Sequence, residues 1–160
     1  MRVKFWVFSL LVVFLTSAVQ AKPGDWPNEF PDPAKKVDQY GMPMETIRVS
    51  QAVSGHITGL NIQVSLPPNY QFLSEAKPFV RLFSPEDGEI AKFELEEPVG
   101  HFSLNAQVSS ARVFAEVGLF YCRQGALGLC LIKKLLYDIP VSQTGGSENL
   151  NLGYIIQEEY

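Results

Sequence analysis

Between Val113 and Val141 the chain reads VFAEVGLFYCRQGALGLCLIKKLLYDIPV, and this stretch restricts the possible folds more than any other. Two apolar, strand-like runs flank a short loop that carries Gly125 and Gly128. The loop is long enough to reverse the chain and too short to hold another element, so the segment reads as a β-hairpin. The only cysteines, Cys122 and Cys130, fall where the two strands meet the loop. Directly opposed residues of an antiparallel pair have Cα atoms about 4.5–5.5 Å apart, and a disulfide wants about 4.4–6.8 Å. A bridge across the hairpin neck is therefore allowed.

Strand parity predicts where such a bridge points. Val113, Ala115, Val117, Leu119 and Tyr121 form a clean apolar face. Cys122 belongs to the other face, with Phe114, Glu116, Gly118 and Phe120, while Cys130 is in phase with Ile132, Lys134, Leu136 and Asp138. Both cysteines are thus expected on a mixed, partly exposed surface, unless a β-bulge inverts the phase.

The rest of the chain extends the same pattern. Glu45 to Val53 is a modest strand candidate, and Gly59 to Leu66 alternates Leu60, Ile62, Val64 and Leu66 with polar residues, as a half-buried strand does. Pro67-Pro68-Asn69-Tyr70 ends that run. Phe79 to Phe83 and Ile90 to Leu95 are strands around the turn Glu86-Asp87-Gly88, and Phe102, Leu104, Ala106 and Val108 alternate again. The second hairpin strand runs from Cys130 to Ile139 and is closed by Pro140; a polar loop from Thr144 to Asn149 leads to a last strand, Leu150 to Ile156, before the acidic tip Glu158-Glu159. Short strands with proline and glycine between them predict an all-β sandwich or barrel. After residue 21, no stretch shows the helical period of about 3.6 residues.

The first residues bear on location. Arg2 and Lys4 precede an apolar core from Phe5 to Leu15, too short for the ~20 residues that span a bilayer. Val19-Gln20-Ala21 fits a small-residue cleavage site. Residues 1–21 are therefore expected to be a signal peptide, 22–44 a Pro-rich arm and 45–160 the sandwich domain. The arm holds Pro23, Pro27, Pro31 and Pro33, so it should be extended, with Trp26 and Phe30 packing back onto the domain or forming a docking motif. Without Arg2 and Lys4, eleven of the thirteen basic residues face seventeen acidic ones, a formal net charge of −6. That balance argues against nucleic acid or an anionic membrane as partner. An exported chain with two cysteines most simply holds one disulfide.

Other chemistry has little support. His56 and His101 lie far apart without metal-ligand neighbours, and Glu94, Glu96 and Glu97 read as a solvated face. There is no G-x-S-x-G elbow, phosphate-cradling glycine loop or C-x-x-C pair. No metal or cofactor is expected. The cysteine pair itself has two readings. It staples a hairpin, constraining the unfolded chain by about 2.5 kcal/mol in the loop-entropy model. Alternatively it exchanges with thiols of another protein, with Arg123, Lys133 and Lys134 favouring thiolate, and Phe120, Tyr121 and Leu129 shielding the sulfurs or meeting a partner.

At the hairpin, FYCRQGALGLCLIKKLLYDIPV resembles the cysteine hairpin of the DsbD N-terminal-domain superfamily, and is closer still to the β-sandwich that ends thioredoxin-plus-NHL-repeat proteins. The shared features are an aromatic before Tyr121-Cys122, a glycine-bearing loop, Cys130, an apolar residue, Lys133, and Pro140 with Val141. Upstream, Leu66-Pro67-Pro68-Asn69-Tyr70 and Ala76-Lys77-Pro78 are similar to the same family's Leu-Pro-Pro-x-Tyr and Ala-x-Pro segment. The likeness covers residues 54–141. It implies an immunoglobulin-like sandwich of about 8–10 strands. It further implies that Cys122 and Cys130 pass reducing equivalents to periplasmic proteins. Partners would be periplasmic or membrane thiol–disulfide proteins acting in trans, with no nucleic acid and no stable membrane insertion once the leader is removed. The rival expectation is a non-enzymatic binding or assembly module with an inert disulfide.

Overall fold

The computed structural model describes residues 30–125 and 128–157. The expected leader, Trp26 with the first two arm prolines, residues 126–127 of the hairpin loop and the tip Glu158-Glu159 lie outside the described residues. The strands are β1 (Met44–Arg48), β2 (Val53–Ser54), β3 (His56–Ser65), β4 (Tyr70–Phe72), β5 (Phe79–Ser84), β6 (Gly88–Glu94), β7 (Val99–Gln107), β8 (Arg112–Arg123), β9 (Cys130–Ser142) and β10 (Asn149–Ile155). No α-helix occurs among the described residues. The chain is an all-β sandwich of two sheets.

The larger sheet has the order β1-β9-β8-β5-β6, with β2 continuing the β1 side of β9 and β4 continuing the β5 side of β8. The smaller sheet has the order β10-β3-β7. Its β10 runs parallel to β3, as β1 and β2 run parallel to β9. The expected hairpin is the spine of the larger sheet: β8 and β9 pair without a register break from Arg112 opposite Pro140 to Cys122 opposite Cys130.

Alternation places the core. Val113, Ala115, Val117, Leu119 and Tyr121 of β8 face inward with Leu135, Tyr137 and Ile139 of β9, against Leu60, Ile62 and Val64 of β3 and Leu150 and Leu152 of β10. Phe93 of β6 and Phe102 of β7 stack across the two sheets with centroids 4.5 Å apart.

The outward face of the larger sheet is covered at its centre. Met44, Phe83, Phe114 and Leu136 form a second cluster, and Phe30 of the arm stacks on Phe83 at 4.5 Å with planes 10° apart. The guanidinium of Arg81 lies 5.1 Å above the Phe30 ring and is hydrogen-bonded to buried Glu116. Farther along the arm, Asp38 accepts from Lys134 of β9 and from the N–H groups of Tyr40 and Met42. So Phe30 packs back onto the domain, and the face expected to be partly exposed is buried at its centre, at Phe114 and Glu116, and opens toward the cysteines at one end and toward Arg112 at the other.

Two expectations need correction. The stretch 45–53 is two short strands rather than one, because the chain leaves β9 between Arg48 and Val53. Pro140 does not close β9, which runs on to Ser142. Val49 N–H bonds Asp138 O and Gly55 N–H bonds Ser142 O, so even-numbered residues of β9 point their backbone groups toward β1 and β2. Pro140 falls in the gap between those strands, where its missing N–H removes no ladder bond. The proline turn ends β3 at Ser65 as expected, and its last residue, Tyr70, starts β4 after Asn69 takes φ 65°.

Candidate functional site

Cys122 and Cys130 form a disulfide across the neck of the β8–β9 hairpin, with Cα atoms 4.0 Å apart. Opposed residues come this close only where a rung lacks mutual backbone hydrogen bonds. The neighbouring rung is the bonded kind, Arg123 N–H donating to Leu129 O at 2.9 Å. As strand alternation predicts, both sulfurs lie on the outward face, with Cys122 half-buried and Cys130 exposed.

The asymmetry has a structural cause. Cys122 lies inside the sheet, flanked by Cys130 and by Gln71 of β4. Gln71 accepts a hydrogen bond from Gln124, two residues beyond Cys122, at 3.0 Å. Cys130 is the first residue of β9 and has no strand on its other side among the described residues, because β1 begins opposite Lys134.

The expected cationic surroundings are not assembled at the sulfurs. Lys133 reaches Glu45 of β1 at 2.9 Å, and Lys134 is bound by Asp38. Arg123 follows Cys122 in an extended strand, so its side chain leaves on the opposite face. Of the expected shielding groups, Tyr121 is buried in the core, Phe120 is half-buried two residues from Cys122, and Leu129 is exposed.

Next to the disulfide the sandwich opens into a cleft of about 650 Å³. Leu129, Leu131 and Ile132 line one side, Ile155 and Ile156 another, and Tyr70, Tyr121 and Tyr154 contribute rings. On its wall, Glu45 accepts from Lys133 and from the Tyr154 hydroxyl at 2.7 Å, while the Lys133 ammonium sits 5.6 Å over the Tyr154 ring. The Tyr154 and Lys133 bonds hold the Glu45 carboxyl below its ordinary range, and Glu45 in turn raises Lys133. Burial, and then the bond to Glu45, raises the Tyr154 phenol. Behind it, burial also pushes up Tyr137, whose hydroxyl donates to Gly153 O at 2.9 Å.

Sequence reasoning found both cysteines and missed this cleft. Glu45, Lys133 and Tyr154 are separated along the chain and carry no motif, so no local signal marks them. His56 and His101 remain apart, bound to Asn105 and Asn61 respectively, and no metal-binding cluster occurs among the described residues. Glu94 pairs with Lys77 at the surface, as a solvated face does. No helix among the described residues is long and apolar enough to cross a membrane. No family model matches the chain, and no curated protein matches it.

Proposed function

We propose that the protein is an exported thiol–disulfide exchange module of the DsbD N-terminal type, an immunoglobulin-like sandwich that passes reducing equivalents to periplasmic proteins through Cys122 and Cys130. The observation that supports this reading is the surface position of the disulfide, with Cys130 exposed at the uncovered start of β9. Exchange requires an accessible sulfur, and Cys130 is the more accessible of the two.

The reduced form begins the cycle, with its electrons supplied by a dithiol protein. The Cys130 thiolate attacks one sulfur of a partner disulfide. A mixed disulfide forms, and the second partner sulfur leaves as thiolate. The Cys122 thiolate then attacks Cys130 Sγ and expels the first partner sulfur. Two electrons pass to the partner, and the Cys122–Cys130 bond is restored. The cationic help at these sulfurs must come from the partner or from solvent, since Lys133 and Lys134 are engaged elsewhere.

The test is the reduction potential of the pair, read by equilibrating the protein in thiol buffers and counting alkylated cysteines by mass. A value between about −270 and −120 mV, where exchange proteins lie, supports the reading. A value below about −300 mV makes the bond a structural staple and turns the protein into a binding or assembly module.

A further inference from the structure

β9 has an open edge. β1 pairs with it only from Met44 opposite Lys134 onward, yet β9 continues to Cys130. No strand lies along that side of residues 130–133 among the described residues. Even-numbered residues of β9 point their backbone groups to this side, as Asp138 and Ser142 do when they accept from Val49 and Gly55. Among the described residues, Cys130 and Ile132 therefore present N–H and C=O groups outward with no strand to receive them.

Proteins commonly blunt such an edge with lysine, proline or a covering loop. Here Lys133 is drawn inward to Glu45, and Pro43, next in line before Met44, bridges to Val37 of the arm and not to β9, so no described strand lies opposite Cys130 and Ile132. The edge also lies beside apolar surface. Leu129, Ile132 and Ile155 are 55%, 51% and 71% exposed, and all three line the adjoining cleft. A strand placed on this edge satisfies the backbone groups of Cys130 and Ile132. Alternate side chains of that strand point into the cleft on the inner side and lie beside Cys130 on the outer side.

We infer that an extended peptide segment of a partner protein adds to the open edge of β9 at Cys130 and Ile132, in line with β1, with an apolar side chain seated in the cleft. This deepens the exchange reading and rests on it in one respect: the partner residue beside Cys130 on the outer face is then its reactive cysteine. Adjacent strands hold opposed residues about 4.5–5.5 Å apart, within disulfide reach. Cys122, Cys130 and the partner cysteine then follow one another across three neighbouring strands. That order suits displacement of one sulfur by another at Cys130.

The test uses a blocked heptapeptide of alternating valine and threonine with a central cysteine, its serine counterpart, and the serine peptide N-methylated on its backbone amides. Amide hydrogen exchange is read by NMR on the intact oxidised protein. The serine peptide, at about ten times its Kd, should slow exchange at Cys130 and Ile132 about tenfold. Leu131, whose N–H belongs to the β8 ladder, should not change, and the N-methylated peptide should have no effect. Unchanged exchange at Cys130 and Ile132 with millimolar serine peptide overturns the inference, as does an equal effect of the N-methylated peptide. The cysteine peptide, supplied as its oxidised dimer to the reduced protein, separates the two claims. If the serine peptide binds and the peptide dimer neither oxidises the Cys122–Cys130 pair nor leaves a mixed disulfide on Cys130 in Cys122→Ser, where no second thiol can expel it, the edge pairing stands and the exchange reading fails.

Discussion

Cys122 and Cys130 face each other on the last rung of an unbroken ladder, and the disulfide between them closes the end of the longest hairpin in the fold. The ladder below it continues through Tyr121–Leu131 and Phe120–Ile132 into the core. Replacing both cysteines with serine should therefore leave the fold intact and cost about 2.5 kcal/mol, the entropy of closing a short loop in the unfolded chain. Urea unfolding of the double variant checks the magnitude. A loss of the native amide spectrum would mean that the bond organises the hairpin and does more than staple it.

The two cysteines should differ as single thiols. In Cys122→Ser the remaining Cys130 thiol is at the exposed start of β9, whereas in Cys130→Ser the remaining Cys122 lies inside the sheet beside Gln71. Alkylation by a neutral reagent at equal pH should be about tenfold faster for Cys122→Ser, since access limits the reaction. Equal rates would remove the structural basis for assigning the attacking sulfur.

The arm is fastened at two points, and the first is aromatic. Phe30 stacks on buried Phe83 beneath the Arg81 guanidinium. Phe30→Ala removes a half-buried ring and should destabilise the protein by about 2 kcal/mol, below the 3–5 kcal/mol of a fully buried phenylalanine. Chemical denaturation measures it. Protease cleavage near Lys35 and Lys36 should accelerate in parallel if the arm detaches locally.

The second fastening titrates. Burial pushes the Asp38 carboxyl up, but the bond from Lys134 and the amides of Met42 and Tyr40 outweigh it, and the folded pKa lies below the ordinary value. Asp87, bonded first to Ser109 and then to Ser84, is lowered too, as is Glu45. For a lowered carboxyl the unfolded chain takes up the proton first. The stabilisation is complete above the unfolded pKa, about 4, and is lost as pH falls through the folded value. Stability should thus decline in acid below about pH 5, and Asp38→Asn should flatten part of that decline. Thermal unfolding from pH 7 to 3 provides the check.

The Tyr154 hydroxyl donates to Glu45 on the wall of the cleft. Tyr154→Phe keeps the ring beneath Lys133 and removes one hydrogen bond to a charged acceptor. It should cost about 1.5 kcal/mol or somewhat more. The Glu45 carboxyl should then titrate at a higher pH, which carboxylate NMR resolves.

Alternation alone determined a good deal. The odd-numbered face of β8, from Val113 to Tyr121, could only be the core face, because the period of a strand puts alternate residues on opposite sides. That assignment carried Cys122 and Cys130 to the outward surface before any contact was known. The hairpin, the all-β class and most strand positions follow from the same local rule, with proline and glycine marking the turns. Pro140 shows the rule's limit: whether a proline ends a strand depends on which side its nitrogen faces and on what lies there. Tertiary structure also decided that Phe114 and Glu116 are buried, since the arm that covers them lies about 80 residues away in the chain, too far for any local pattern to register. The cleft and the open edge of β9 belong to the same class. They arise from where β1 begins opposite Lys134 and from Glu45, Lys133 and Tyr154 meeting across two sheets. Local sequence encodes which face a residue takes; only the packed chain sets which neighbour, if any, covers it.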